Sequence, residues 1–118
     1  MEVKISPLDL VFAKYMRLAA SGICEYCGAS NKSLQCSHFH GRRKLSTRYD
    51  PENCCAVCFT CHQYFHEHPN IHTEFFKKRL GSERFEQLNI RANMIKKMSK
   101  LDKENLKIYY IKKIKELE

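Results

Sequence analysis

Two pairs of cysteines carry the clearest chemical signal in this sequence. Cys24 and Cys27 form one Cys-x-x-Cys pair, and Cys58 and Cys61 form the other. Each spacing lets two thiolates bind the same tetrahedral Zn²⁺. Four thiolates fill the coordination shell, so we expect a structural zinc with no open position for a substrate. The alternatives are buried cysteines without a metal, and a site in which His62 replaces one thiolate.

A histidine, an asparagine and a second histidine lie between and after these pairs. His38 ends the first of two predicted strands, Asn53 lies in the loop before the second, and His62 lies on the following helix. A neutral imidazole can accept a proton from water near neutral pH, and a divalent cation opposite it can neutralise a scissile phosphate. We expect Asn53 to hydrogen-bond the loop backbone. The layout predicts metal-assisted phosphodiester hydrolysis; the alternative is that both histidines are structural.

Further candidate residues flank this group. His66 lies four residues after His62, on the same helical face, and is predicted to be a second ligand of a catalytic ion, although it could equally be a surface residue. A basic loop follows His38, and its side chains are expected to contact DNA phosphates unless the loop is only solvated. These predicted DNA-binding residues are Arg42, Arg43, Lys44 and Arg48.

Short strands and one helix must position these side chains. We predict strands over 33–39 and near 55–57, and a helix from about 60 to 68 that Pro69 stops. The cysteines outside the two pairs are expected in the core. They are Cys36, Cys54 and Cys55.

Helix signals dominate the rest of the chain. Ser6 is predicted to cap a first helix that ends near Gly22. Asn70 is predicted to cap a helix over 72–80, and Ser82 the next one. Ser99 begins a capping-box pattern before a last helix.

The predicted fold is α+β, a small zinc-stapled ββα-metal core with a short β-hairpin, an N-terminal helix and C-terminal helices. We expect a single domain with three parts. Residues 1–22 form a packing helix, 23–69 the zinc-bound nuclease core, and 70–118 a basic helical extension that packs on the core.

Composition limits the class of protein. The chain has 118 residues, a formal net charge of +8 and a pI near 9.2. No signal peptide or membrane-length apolar run is evident, so we expect a soluble cytoplasmic protein whose thiols stay reduced. The basic excess favours nucleic acid as a partner, with a solvated helical surface as the alternative.

The stretch 24–62 resembles the HNH, or ββα-metal, endonuclease superfamily, and within it most resembles the phage NinG recombination proteins. That resemblance rests on four motifs, Cys36-Ser-His38-Phe39, Ser46-Thr47-Arg48-Tyr49-Asp50, Glu52-Asn53-Cys54 and Cys58-x-x-Cys61. It implies a structure-specific DNA endonuclease acting on branched recombination intermediates, encoded by a phage or prophage and working in the bacterial cytoplasm.

By position, the resemblance implies that His38 is the general base, Asn53 a positioning residue and His62 a ligand of a catalytic Mg²⁺, Mn²⁺ or other divalent ion. Many HNH enzymes have a second metal ligand directly before the base, but here that residue is Ser37. A homodimer is expected if the substrate is a four-way junction. Two alternatives remain, a nicking nuclease of a mobile element or restriction system, and a non-catalytic zinc-finger protein that binds DNA.

Overall fold

One β-hairpin and six α-helices make up the part of the chain that this computed structural model describes, residues 3–118. The predicted α+β class is therefore confirmed. In chain order the elements are α1 (Pro7–Ala19), β1 (Leu34–His38), α2 (Leu45–Arg48), a 3₁₀ turn (Pro51–Asn53), β2 (Cys54–Cys58), α3 (Phe59–Glu67), α4 (Pro69–Leu80), α5 (Ser82–Ala92) and α6 (Lys100–Leu117).

Helix α1 begins with the capping arrangement that the sequence predicts. The Asp9 backbone N–H donates to Ser6 Oγ, and the Ser6 backbone N–H donates to the Asp9 carboxylate over 2.7 Å. These bonds satisfy donors that a helix N-terminus otherwise leaves free. The helix ends at Ala19, before Gly22, because Ser21 and Gly22 both adopt positive φ angles that a right-handed helix does not allow.

The hairpin register sorts its side chains onto two faces. In the antiparallel pair, His38 lies opposite Cys54 and Cys36 lies opposite Ala56. Because side chains alternate along a strand, Cys36, His38 and Cys54 share one face. Ser37 and Cys55 share the other face. Both predicted strands are present, and β2 is longer than predicted.

A separate apolar cluster covers each face of the hairpin. Helices α1 and α6 cover the face that carries Cys54, while α3 and α4 cover the face that carries Cys55. Both cysteines are fully buried, as predicted, and Cys36 is half-buried. The hairpin therefore lies between two packed layers and has little freedom to move relative to α1 or α3.

The helical tail differs from prediction at two helix starts. Asn70 is not a cap, because Pro69 occupies the first position of α4, where a proline needs no N–H partner. Ser82 is the first residue of α5, and Gly81, with φ of +83°, takes the cap position. Ser99 caps α6 with the predicted capping box.

Arginines and one tyrosine attach the tail to the hairpin region. Arg91 contacts Asp50 at 2.9 Å, and the Tyr110 hydroxyl of α6 donates to the Tyr49 carbonyl over 2.7 Å. Two further ion pairs, Arg79 with Glu25 and Arg84 with Glu52, act in the same way. The expected packing of the tail on the core is thus supported by specific polar contacts. Within residues 3–118, no helix has the length and hydropathy to cross a bilayer.

Candidate functional site

A tight turn between α1 and β1 presents the first cysteine pair. The Cys24 N–H donates to the Ala29 carbonyl, and the Gly28 N–H donates to the Cys24 carbonyl. Gly28 has φ of +79°, which side chains other than glycine rarely tolerate. The Glu25 N–H then donates to the Ala56 carbonyl over 2.9 Å, so the turn is fixed against β2.

The two cysteine pairs meet in one cluster. Cys58 ends β2 and Cys61 lies in the first turn of α3, so the second pair spans the strand-to-helix junction. All four sulfurs lie within 4.8 Å of one another, and Cys27 Sγ is 3.9 Å from Cys58 Sγ. A zinc ion with Zn–S bonds of about 2.3 Å needs tetrahedral S···S edges of about 3.8 Å. The four cysteines are therefore positioned to hold a metal ion, compatible with structural zinc.

Backbone donors already favour thiolate at this cluster. The N–H groups of Cys27 and Cys58 point at Cys24 Sγ over 3.5 Å and 3.4 Å. Burial acts to raise the pKa of Cys24, but these donors outweigh it and bring the pKa to about 6. Burial and the neighbouring sulfurs raise the pKa of Cys61. Four thiols this close together cannot all ionise without a cation, because the thiolates would repel one another. A bound dication would neutralise that repulsion.

His38 ends β1 with a defined ring orientation. Its Nε2 lies 2.9 Å from the backbone carbonyl oxygen of Arg48. Because a carbonyl only accepts, Nε2 carries the ring proton and the lone pair of Nδ1 is free. Burial lowers the pKa of His38, so the ring is neutral near pH 7. A neutral imidazole with one uncommitted nitrogen meets the chemical requirement of a general base.

Asn53 holds the loop that follows His38. Its side chain is fully buried. Asn53 Oδ1 accepts from the His40 N–H over 2.8 Å, and its Nδ2 donates to the carbonyls of His40 and Thr47 over 2.9 Å and 3.1 Å. The expected hydrogen bonds to loop backbone are therefore present, and they tie the end of β1 to the start of β2.

The histidines of α3 lie on the other side of β1. His62 Nδ1 is 2.6 Å from Gln35 Oε1, so Nδ1 carries the proton and Nε2 is free to bind a metal. Burial and the neighbouring His66 lower the pKa of His62, which keeps it neutral and able to coordinate. His66 is exposed on the next turn. Gln35 was not identified from the sequence, because strand alternation does not reveal which helix residue it meets.

One cleft of about 420 Å³ brings the candidate residues together. His38, His62 and His66 all line it, together with Arg42 and the Asp9 side of α1. Asn53 lies beneath the loop and does not line this cleft. The cleft therefore combines a free imidazole lone pair, two imidazoles suited to a cation, and one guanidinium suited to a phosphate.

The ligand set for a catalytic ion is sparse. Ser37 is buried on the other face of the hairpin, away from His38, and serine is a poor metal ligand in any case. Among residues 3–118, neither His62 nor His66 belongs to a group of three or more His, Cys, Asp or Glu residues whose ligand atoms lie within 4.8 Å of one another. The protein therefore offers two imidazoles, and water or phosphate oxygens would complete the shell. Nitrogen donors suit Mn²⁺, Co²⁺, Ni²⁺ or Zn²⁺ better than Mg²⁺.

The four predicted DNA-binding residues are placed differently from one another. Arg42 lines the cleft, and Arg43 and Lys44 line a larger neighbouring groove. Lys44 Nζ also approaches the carbonyl of the last residue of α5 at 3.5 Å. Arg48 is committed internally, because its guanidinium bonds the Asp9 carboxylate at 2.6 Å and 3.0 Å. These contacts favour a phosphate role for Arg42 and Arg43 over one for Arg48.

His72, on the first turn of α4, belongs to the same region. Its ring stacks on Phe65 at 4.7 Å, and it lines a second cleft together with His38 and His66. Burial and the charges of His62 and His66 lower the pKa of His72 to about 4. Its Nε2 is buried and makes no hydrogen bond within the described residues. No spacing rule links residue 72 to α3, so this neighbour could not be predicted from the sequence.

Comparison with family models, curated proteins and solved structures finds no match for this chain. What the site does is therefore inferred from its own residues.

Proposed function

We propose that this chain is a metal-dependent DNA endonuclease of the HNH type that hydrolyses phosphodiester bonds. The observation that carries the proposal is the shared cleft. There, the free Nδ1 of a neutral His38 accompanies two metal-competent imidazoles, His62 and His66, and the Arg42 guanidinium. Hydrolysis of a phosphodiester needs these three functions, a base, a cation and a phosphate anchor.

His38 supplies the base. Its Nδ1 takes a proton from the water that attacks phosphorus, and its Nε2–H stays on the Arg48 carbonyl. That fixed bond keeps the correct tautomer and stabilises the imidazolium as it forms. Asn53 keeps the loop, and hence this carbonyl, in register with the end of β1.

His62 and His66 would hold the divalent ion, with Gln35 orienting His62. When bound, the ion neutralises charge on the phosphate and on the departing 3′ oxygen. Because the donors are imidazoles, we expect activity with Mn²⁺, Co²⁺ or Ni²⁺ to exceed activity with Mg²⁺. The four-cysteine zinc has a full shell and takes no part in the chemistry.

The substrate is proposed to be DNA with a branch or other distorted structure. Arg42 and Arg43 lie on an exposed loop beside the cleft, where they can grip phosphates on both sides of the cut. Within residues 3–118, the helices that line the cleft are α1 and α3, and we assign neither as a recognition helix, so base sequence is expected to matter less than DNA shape.

The test uses purified, zinc-loaded protein with a supercoiled plasmid, a linear duplex and a synthetic four-way junction, each with Mn²⁺ or Mg²⁺. We expect cutting by the wild type and its loss in His38→Ala. The matched control is His68→Ala, since His68 is exposed at the end of α3 and bonds only its own helix. Cutting that survives in His38→Ala would remove His38 from the mechanism. Equal cutting of linear duplex and junction would favour a general nicking nuclease.

One observation favours a second candidate, a zinc-dependent DNA-binding protein without catalysis. The α3 histidines lack a third protein ligand in the described residues, and Ser37 faces away. Metal analysis separates the two functions. Tight DNA binding with no Mn²⁺ affinity at His62 would support the binding protein and refute the enzyme.

A further inference from the structure

A second group of metal-competent side chains lies outside the four-cysteine cluster. Cys36 Sγ, Cys54 Sγ and one ring nitrogen of His38 all lie within 4.8 Å of one another. Cys54 is fully buried, whereas Cys36 is half-buried and lines the cleft together with His38. We propose that these three residues form a binding site for thiophilic metal ions such as Zn²⁺ or Cd²⁺, and that an ion bound there occupies the lone pair that His38 needs as a base.

The hairpin builds this group. His38 and Cys54 are directly opposite each other in the antiparallel register, and Cys36 precedes His38 by two residues on the same face. A tetrahedral zinc with two thiolates and one imidazole needs ligand separations of about 3.5–3.8 Å. Since the ligand atoms are at most 4.8 Å apart, each separation needs to shorten by about 1.3 Å or less.

A dication bound at this group would balance the charge of its two thiolates. Cys54 lies in an apolar cluster with residues of α1 and α6, and burial raises the pKa of its thiol. An isolated thiolate there is unfavourable. Binding of a dication releases one proton from each thiol to solvent and leaves a complex of zero net charge. Cys36 and His38 line the cleft, so water from the cleft could complete the shell.

The site also has a consequence for the base. His38 Nε2 is committed to the Arg48 carbonyl, so a metal must use Nδ1. That is the nitrogen assigned to proton transfer. Metal binding at Cys36, His38 and Cys54 and general-base action by His38 are therefore mutually exclusive, and free zinc becomes an inhibitor. This consequence rests on the proposed function, whereas the metal site itself does not.

Cadmium NMR on the full chain tests the metal site directly. We expect two thiolate-bound signals at two equivalents of Cd²⁺, one typical of four sulfurs and one of two sulfurs and one nitrogen. Cys36→Ala should lose only the second signal. Cys55→Ala is the control, because it removes a hairpin thiol that is more buried than Cys36 and lies on the opposite face, and it should keep both signals. A wild type with only the four-sulfur signal, or a second signal that persists in Cys36→Ala, would overturn the site.

Zinc inhibition tests the consequence. In a Mn²⁺-supported cutting assay, added Zn²⁺ should inhibit the wild type, and Cys36→Ala should need about tenfold more Zn²⁺ or higher for the same inhibition. Equal sensitivity of the two proteins would mean that zinc acts elsewhere, and would refute the proposed competition. If neither protein cuts DNA with any metal, the nuclease proposal fails. The cadmium signals would still show whether Cys36, His38 and Cys54 bind a metal.

Discussion

Replacing Asn53 is the sharpest test of how the loop behind His38 is held. In Asn53→Ala, one backbone N–H and two carbonyls lose their partners in a place where Asn53 itself is fully buried. At about 1 kcal/mol net for each hydrogen bond, the free energy of unfolding should fall by about 3 kcal/mol. For a domain of this size that is a decrease in Tm of about 12 °C.

The assay is thermal and urea unfolding of zinc-saturated protein followed by circular dichroism. Asn53→Asp separates hydrogen bonding from lost volume, because it has nearly the same shape but sets a carboxylate against two carbonyl oxygens. We expect it to be destabilised at least as much as Asn53→Ala. Asn93→Ala is the control, since Asn93 is exposed and water replaces its bonds, and its change should stay within about 0.5 kcal/mol. A loss below about 1 kcal/mol in both Asn53 variants would refute the reasoning.

Five further outcomes are expected. Protein dialysed in metal-free buffer should keep at least one zinc per chain by elemental analysis, and a strong chelator should abolish its helical circular dichroism. Asp9→Asn should lower the free energy of unfolding by about 3 kcal/mol, because it breaks the largely buried ion pair with Arg48. Asp102→Asn is the control, and because Asp102 lies in the exposed capping box of α6, it should change the free energy of unfolding far less. Although burial acts to raise the pKa of Asp9, bonds from Arg48 and Ser6 lower it overall. The stabilisation that Asp9 contributes is therefore present above the unfolded pKa of about 3.9 and is lost as the pH falls through the lower folded value. Unfolding measured across an acid pH series should show this loss. Burial lowers the pKa of His38, so the cutting rate should rise with pH below its ordinary value of about 6.5 and be flat from about pH 7 to 8; a rate that climbs through pH 8 would contradict this role. Tyr110→Phe should cost about 1 kcal/mol of stability, measured by urea unfolding, because it removes a buried bond to the Tyr49 carbonyl.

The sequence predicted the elements whose signals are local. Capping boxes at Ser6 and Ser99 depend on residues three apart, and both are present. The cysteine pairs also depend on short spacing, and the four sulfurs do meet. The misplaced caps at Asn70 and Ser82 arose where a proline and a glycine offered competing starts one residue earlier. Local rules fail where two of them compete.

Long-range pairing was beyond prediction, and it decides which basic side chains stay free of internal ion pairs. Its position after His38 suggested that Arg48 is a phosphate ligand, but α1 brings Asp9 to it from 39 residues away. Three arginines of the tail likewise form ion pairs with acidic residues of the core, and they are Arg79, Arg84 and Arg91. Net charge alone does not separate these internal pairs from a free basic surface. The Gln35–His62 bond could not be predicted for the same reason.

The zinc cluster and the cleft are linked by a single step along α3. Cys61 belongs to the cluster, and His62 is the next residue, so their side chains leave the helix about 100° apart. A metal bound by Cys61 would therefore fix the rotation of α3 and the direction of His62 toward Gln35 and the cleft. Cys58, at the end of β2, transmits the same constraint to the hairpin that carries His38. A metal bound by the four cysteines would thus shape the proposed active site without contacting the substrate, because it would set the angle between the strand that carries His38 and the helix that carries His62.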